Sequence, residues 1–335
     1  MVSPVRNPAA GAAATATAGA AAQPLTRAAL EEQLAQNLTL RGIVLAGGDY
    51  RGLVARAARF EQVDARGARF DDAQLEQTQW SHCRLDGAQF NQAQLRASRF
   101  IGCSANQSAW RGANLLRSAW RQCELAQAQF DGANLTRVSW IQCQAPGAGL
   151  ANLTLEIGYF QGCDLSGLNL AQANWRLVQM RGCNLNGSQF TRARLQNCGF
   201  GGSNLSRADF ADADAPYLAL NGCDLRDANF ARARLPGAKF NDAQLEGADF
   251  SGANLALAFL AGVQAPGLKL KGAVLQRADL SQAKLAGADF SAATVEGARL
   301  DGADLFGVNW DGCQRQRALA EDLLLREALA WRPVV

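Results

Sequence analysis

Residues 221–255 read NGCDL RDANF ARARL PGAKF NDAQL EGADF SGANL, seven successive blocks of five. In each block the fifth residue is Leu or Phe and the third is Ala or Cys. The other three positions hold every charged residue of the stretch. A helix repeats every 3.6 residues and a strand every two, so a strict period of five belongs to neither. The third and fifth residues share a face, as in a short extended segment, and the next pair makes a turn. Two positions of five therefore point inward and three face water.

The same register extends in both directions. From Leu40 to Trp310 every fifth residue forms a column of 55 positions, of which 49 are Leu, Phe, Trp, Tyr, Met or Val and six are Ala. Of the 25 aromatic residues in the chain, 20 lie in this column. A second column, two residues earlier, runs from Leu38 to Val308, is dominated by Ala, and like the first contains no charge. Four blocks close a square coil of 20 residues, and coils stacked at about 4.8 Å share backbone hydrogen bonds along the axis. One face of that square carries Tyr50, Phe70, Phe90, Trp110 and Phe130, the opposite face Phe60, Trp80, Phe100, Trp120 and Trp140. The two faces between are Leu or Ala at nearly every centre, so large and small side chains alternate around a narrow interior.

Blocks such as Ala113-Asn114-Leu115, Ala133-Asn134-Leu135, Ala208-Asp209-Phe210, Ala248-Asp249-Phe250 and Ala303-Asp304-Leu305 give the sequence its family likeness. It resembles the pentapeptide-repeat family, whose consensus is Ala, then Asp or Asn, then Leu or Phe, then two variable residues. The resemblance implies an all-β fold, a right-handed quadrilateral β-helix solenoid, and the column length implies about 14 coils in a rod on the order of 65 Å long. The domain reading is an Ala-rich leader over residues 1–24, an N-terminal capping helix over 25–37, the β-helix over 38–312, and a C-terminal capping helix and tail over 313–335.

A stacked rod has two open ends that invite aggregation unless they are covered. Thr26 to Gln36 reads as a short helix with Thr26 as N-cap and Leu30 and Leu34 on one side. Gln314 to Trp331 has helical composition and ends before Pro333. There Leu319, Leu323, Leu324 and Trp331 are placed to lie over the last coil. In some members of the resembled family a C-terminal helix makes a dimer contact, so a capped monomer and a homodimer both stay open. The leader, with Arg6 followed by the Ala, Gly and Thr tract Ala9 to Ala22, lacks the Leu-rich stretch of a signal peptide and reads as a flexible spacer.

Composition excludes several classes of function. The 335 residues are 48% hydrophobic and 19% charged, with a net charge of +3, which fits neither a strongly basic nucleic-acid binder nor a strongly acidic protein. No apolar run is long enough to span a membrane. His82 is the sole histidine; it falls at an outward turn position without a catalytic partner. A convex rod offers no obvious pocket for paired carboxylates, and no phosphate-binding glycine motif is present. Catalysis, cofactors and small-molecule substrates are therefore not expected.

Cys83, Cys103, Cys123, Cys143, Cys163, Cys183 and Cys223 are separated by 20 residues or a multiple of it, with Ser203 in the one gap. A square coil stacks them in one row. Without C-x-x-C or a converging second ligand they read as small core residues rather than metal or redox groups. Cys198 and Cys313 fall in the same kind of inward slot. Nine cysteines, an odd number, fit a reducing, cytoplasmic setting better than a disulfide framework.

One set of outward positions breaks the polar pattern. Ile157, Leu177, Tyr217 and Leu257 share a single turn column, and Tyr159 and Phe259 lie in the neighbouring column. Together they form an interrupted apolar stripe along one corner, where a protein partner would find aromatic anchors. The expected function is a non-enzymatic scaffold that binds a protein along its rod. The resemblance also implies two alternatives: a DNA mimic that binds DNA gyrase or topoisomerase IV, and an accessory or effector of a bacterial secretion system. Against the mimic, residues 101–200 carry a net charge of +4 and residues 201–312 a net charge of −4, a mixed rather than acidic exterior.

Overall fold

A computed structural model describes residues 23–151 and 153–319. Residues 1–22 of the expected leader and the C-terminal stretch from 320 onward lie outside the described residues. Among the described residues nine parallel strands form one ladder in sequence order, from β1 (Thr39–Arg41) to β6 (Ser139–Ile141) at 20-residue intervals, then β7 (Thr154–Gln161), β8 (Asn174–Arg181) and β9 (Arg194–Gln196). Every pairing joins residue i to i+20, as in Leu40 with Phe60 and Trp140 with Phe160. The strands alone mark about eight turns, fewer than the 14 expected, because most faces pair through a single residue. Those single bridges keep the 20-residue step as far as Asp289 with Asn309. The architecture is a quadrilateral β-helix.

The corners explain the period of five. In the turn from Ala55 to Ala58 the Ala58 amide donates to the Ala55 carbonyl at 3.2 Å, and Ala57 holds φ at +59°. A turn of this kind needs positive φ at its third residue, the position that Gly and Asn tolerate best. The same geometry recurs around and along the rod, and many of these third positions are Gly, Gln, Arg or Asp.

Both inward columns are buried from Tyr50 to Ala298, and with Leu30 and Leu34 of the N-terminal helix their side chains form one continuous core. Full burial of one Leu or Phe side chain contributes about 1.5–3 kcal/mol. Rings on successive coils stack: Phe60 on Trp80 at 3.9 Å between centroids, Phe90 on Trp110 at 4.2 Å, Phe100 on Trp120 at 3.8 Å. Across the interior, Trp110 meets Trp120 edge-on at 5.1 Å and 85°. Edge-to-face and offset contacts are the arrangements that ring quadrupoles favour.

Indole N–H groups inside such a core need acceptors, and the slot two residues earlier supplies them. Trp80 donates to Thr78 Oγ1 at 3.1 Å, Trp110 to Ser108 Oγ at 2.6 Å, and Trp120 to Ser118 Oγ at 3.2 Å. Trp140 and Trp175 follow Val138 and Ala173 instead, and their Nε1 atoms have no hydrogen-bond partner.

The N-terminal end is closed by α1 (Arg27–Gln36), capped by the Thr26 side chain, which accepts from the Ala29 amide, with Leu30 and Leu34 buried against the first coil. Tyr50, at a centre that holds Phe in most later coils, donates its hydroxyl to the Leu25 carbonyl at 2.5 Å. Its ring fills the space that a Cβ on Gly48 would occupy, which is why the Ala slot is glycine there. At the other end a short 3-10 turn (Arg315–Arg317) follows the last coil, and the Leu319 amide donates to the Ala298 carbonyl at 2.9 Å. Leu300, Leu305 and Trp310 are only partly buried, and Phe306 is 83% exposed.

Candidate functional site

The six stripe residues are all exposed, from 37% for Tyr159 to 63% for Tyr217. They lie on one corner, between the column of Leu155 and Trp175 and the column of Phe160 and Met180. Ile157 and Leu177 are on neighbouring coils, paired through β7 and β8, which run unbroken through this corner. Tyr217 and Leu257 follow at two-coil steps, so the line from Ile157 to Leu257 spans about 24 Å at the usual inter-strand spacing.

Four of the six occupy the left-handed turn position. Ile157, Leu177, Tyr217 and Leu257 have φ of 59°, 58°, 58° and 61°. Every non-glycine residue at this conformation among the described residues is polar, charged or Ala except these four. Left-handed backbone costs an L-residue about 1–2 kcal/mol, and a β-branched residue such as Ile157 is disfavoured further. The backbone accommodates the largest of them locally. Pro216 opens the Tyr217 turn, and Gly237 on the next coil lies under the Tyr217 ring, where a Cβ would approach it to 2.8 Å. Tyr159 donates its hydroxyl to Gln161 Oε1 at 2.8 Å. Glu156, beside Ile157, is ion-paired with Arg176, whose hydrogen bond holds its carboxyl below the usual range. A shallow groove of about 470 Å³ continues the line past Leu257, between Ala256, Gln276, Arg277, Glu296 and Gly297.

Elsewhere the described surface offers little chemistry. No group of three His, Cys, Asp or Glu among the described residues is placed to hold a metal ion. His82 is exposed at its turn.

The thiol row lies inside the corner that follows Phe60, Trp80 and Trp140. There no amide three residues on closes the turn, and carbonyls of the strand ladder also accept from thiols of the next coil: Cys83 Sγ to Phe60 O at 3.2 Å, Cys103 to Trp80 O at 3.4 Å, Cys163 to Trp140 O at 3.5 Å. Hydrogen bonds with the flanking thiols, and burial, hold Cys143 above the ordinary thiol range. Burial pushes Cys198 up to about 12 and, with the neighbouring Asp224 charge, Cys223 up to about 11. Thiols held above their ordinary range are poor nucleophiles. Cys313 departs from the inward pattern and is only partly buried, at the end of the last coil among the described residues.

Family models agree with this architecture. One for a pentapeptide repeat region matches residues 73–138 and 133–210, and one for eight copies of the pentapeptide repeat matches 203–242, 220–255 and 269–307. The chain belongs to the pentapeptide-repeat family. Solved structures similar to it include full-length QnrB1, a plasmid-mediated fluoroquinolone resistance protein, at 18% identity over 88% of this chain and 100% of that one, with a TM-score of 0.29. HetL, a pentapeptide repeat protein involved in heterocyst differentiation regulation in the cyanobacterium Nostoc sp. strain PCC 7120, matches at 22% identity over 84% and 92%, with a TM-score of 0.22. Rfr23 from the cyanobacterium Cyanothece 51142 matches at 21% identity over 43% and 91%, with a TM-score of 0.18. Likeness at these scores carries no inference about partner or activity. No curated protein matches the sequence. No helix among the described residues is long and apolar enough to cross a membrane.

Proposed function

We propose that this pentapeptide-repeat rod is a non-enzymatic scaffold that docks a protein partner along the corner bearing Ile157, Tyr159, Leu177, Tyr217, Leu257 and Phe259. One observation carries the proposal: the four large apolar side chains held at left-handed turn positions all fall on this corner. The fold does not ask for them, since Asn197 and Gly237 fill the same column between them. Side chains retained where the backbone disfavours them, and where water surrounds them, have a use outside the fold. Tyr and Phe are also the anchors that protein interfaces favour.

The nine thiols are free, which suits a reducing compartment such as the cytoplasm. Mimicry of duplex DNA toward gyrase or topoisomerase IV would require an acidic rod, and 27 basic residues against 25 acidic ones between residues 38 and 312 do not make one. Gyrase supercoiling is accordingly expected to proceed unchanged in the presence of the protein.

Crosslinking pull-down with mass spectrometry, run on the unaltered chain and on Y159A/Y217A/F259A, tests the docking edge. Loss of the recovered partner in the triple variant is the expected result. Equal recovery of the same partner from both would refute it.

A further inference from the structure

The 20-residue register sorts surface charge as well as apolar residues. Each coil has three outward positions in each of its four quarters. Between residues 38 and 312, the quarter that bears the stripe carries ten basic and four acidic residues. The other three carry five and eight, five and seven, and seven and six. One quarter is thus strongly basic while the remaining three are near neutral or acidic. Of the exposed large apolar residues from Val54 to Phe306, the other three quarters hold one each, Val54, Ile101 and Phe306, against six here.

Charge and apolar surface lie end to end within this quarter. Arg96, Arg99, Arg117 and Arg137 occupy the coils before Ile157, and none of them makes an ion pair among the described residues. Other cations are paired across one coil, Arg56 with Glu76 and Arg176 with Glu156 in this quarter and Arg232 with Asp212 and Arg234 with Asp214 in another, so these four arginines are the unpaired row. Successive coils are about 4.8 Å apart, well inside the screening length of about 10 Å at 0.1 M salt. The row therefore repels itself in the free rod, and an anionic partner removes that repulsion. Nine of the ten cations are arginines, Lys239 being the exception, and Arg binds carboxylates through a two-pronged contact that Lys lacks.

We propose that this quarter binds an acidic protein segment: its carboxylates lie along Arg96, Arg99, Arg117 and Arg137, and its apolar side chains seat on the stripe from Ile157 to Phe259. The proposal rests on the docking edge above and adds to it the chemistry and direction of the partner. A protein segment fits better than a nucleic acid because the apolar half of the same line offers nothing to a phosphate backbone. Arg with aromatic side chains is also the pairing that protein interfaces enrich.

The test is fluorescence anisotropy with the full chain and four probes: a labelled peptide in which an acidic block precedes a block rich in Leu and Phe, its counterpart with lysines in place of the acids, a DNA duplex, and vesicles containing phosphatidylserine. The acidic peptide should bind, more weakly as salt rises, and the lysine peptide should not. R96E/R117E/R137E should weaken binding about tenfold or more, and R96K/R117K/R137K should weaken it less. All three sites are on the rod surface, and an unchanged circular dichroism spectrum would establish that the variants fold. Equal binding by the charge-reversed variant, tighter binding of DNA or vesicles, or no binding of the acidic peptide would each overturn the proposal. Loss in the arginine variant together with full binding by Y159A/Y217A/F259A would instead sink the docking edge, leaving an anion site alone.

Discussion

Two corners of the same coil use one backbone in opposite ways. After Phe60, Trp80 and Trp140 the chain turns with Gln62, His82 and Gln142 at positive φ, and what matters points inward: thiols that donate to carbonyls of the preceding coil. After Leu155, Trp175, Ala215 and Leu255 it turns with Ile, Leu, Tyr and Leu at that same position, and these point outward. The left-handed position holds Gly or a polar residue all along the first corner, so the apolar ones on the second are not imposed by the turn. Side chains inside the coil should therefore govern stability, and those outside the second corner should govern binding.

Removing inward bulk should have the largest effect. Trp120→Ala deletes a ring stacked at 3.8 Å on Phe100 and met edge-on by Trp110, and is expected to cost about 3–5 kcal/mol by urea unfolding. A loss below about 1 kcal/mol would mean that the interior collapses around the cavity, and the inward half of the contrast would fail.

Next come the buried hydroxyls. Ser108→Ala leaves the Trp110 indole N–H without an acceptor and should cost about 1–3 kcal/mol. The reverse change, Val138→Thr, offers the unpartnered Trp140 Nε1 the acceptor that Thr78 gives Trp80, and should raise stability by about 1 kcal/mol. A destabilised Val138→Thr would show that the slot cannot accept the hydroxyl.

A buried thiol outside the thiol row has a pH signature. Burial raises Cys198 from 9.0 to about 12, so the folded chain holds a proton that the unfolded chain releases. Its contribution is complete below about 9 and is lost as pH rises from there toward 12. Alkaline unfolding curves of Cys198→Ala should be flatter than those of the unaltered chain over that window. Identical curves would place the alkaline limit elsewhere.

The five-residue columns made the coil, the buried faces and the thiol row legible before any coordinates, because inward and outward positions differ in kind at every step. The stripe was legible for the same reason, once Ile157, Leu177, Tyr217 and Leu257 were aligned by twenties. The indole acceptors were not recognised, although Thr78-Gln79-Trp80 and Ser118-Ala119-Trp120 are written plainly; a small hydroxyl in an Ala slot reads as filler until the ring beside it is in place. Nor was the basic quarter: windows of consecutive residues average over all four quarters, and Arg96, Arg117 and Arg137 stand together only when the coil is closed. The nine strands mark about eight turns against the 14 coils expected because a single bridged residue on a face is pairing without being a strand.

The outward side of the second corner should show the smallest stability change, and that change tests the central claim. Asn already occupies this column at Asn197, with φ of 53°. Urea unfolding of I157N/L177N/Y217N/L257N should give a midpoint equal to or above that of the unaltered chain, since relief of the left-handed strain offsets the partial burial given up. A fall of more than about 2 kcal/mol would contradict the account, because the stripe would then be part of what holds the rod together rather than what the rod presents.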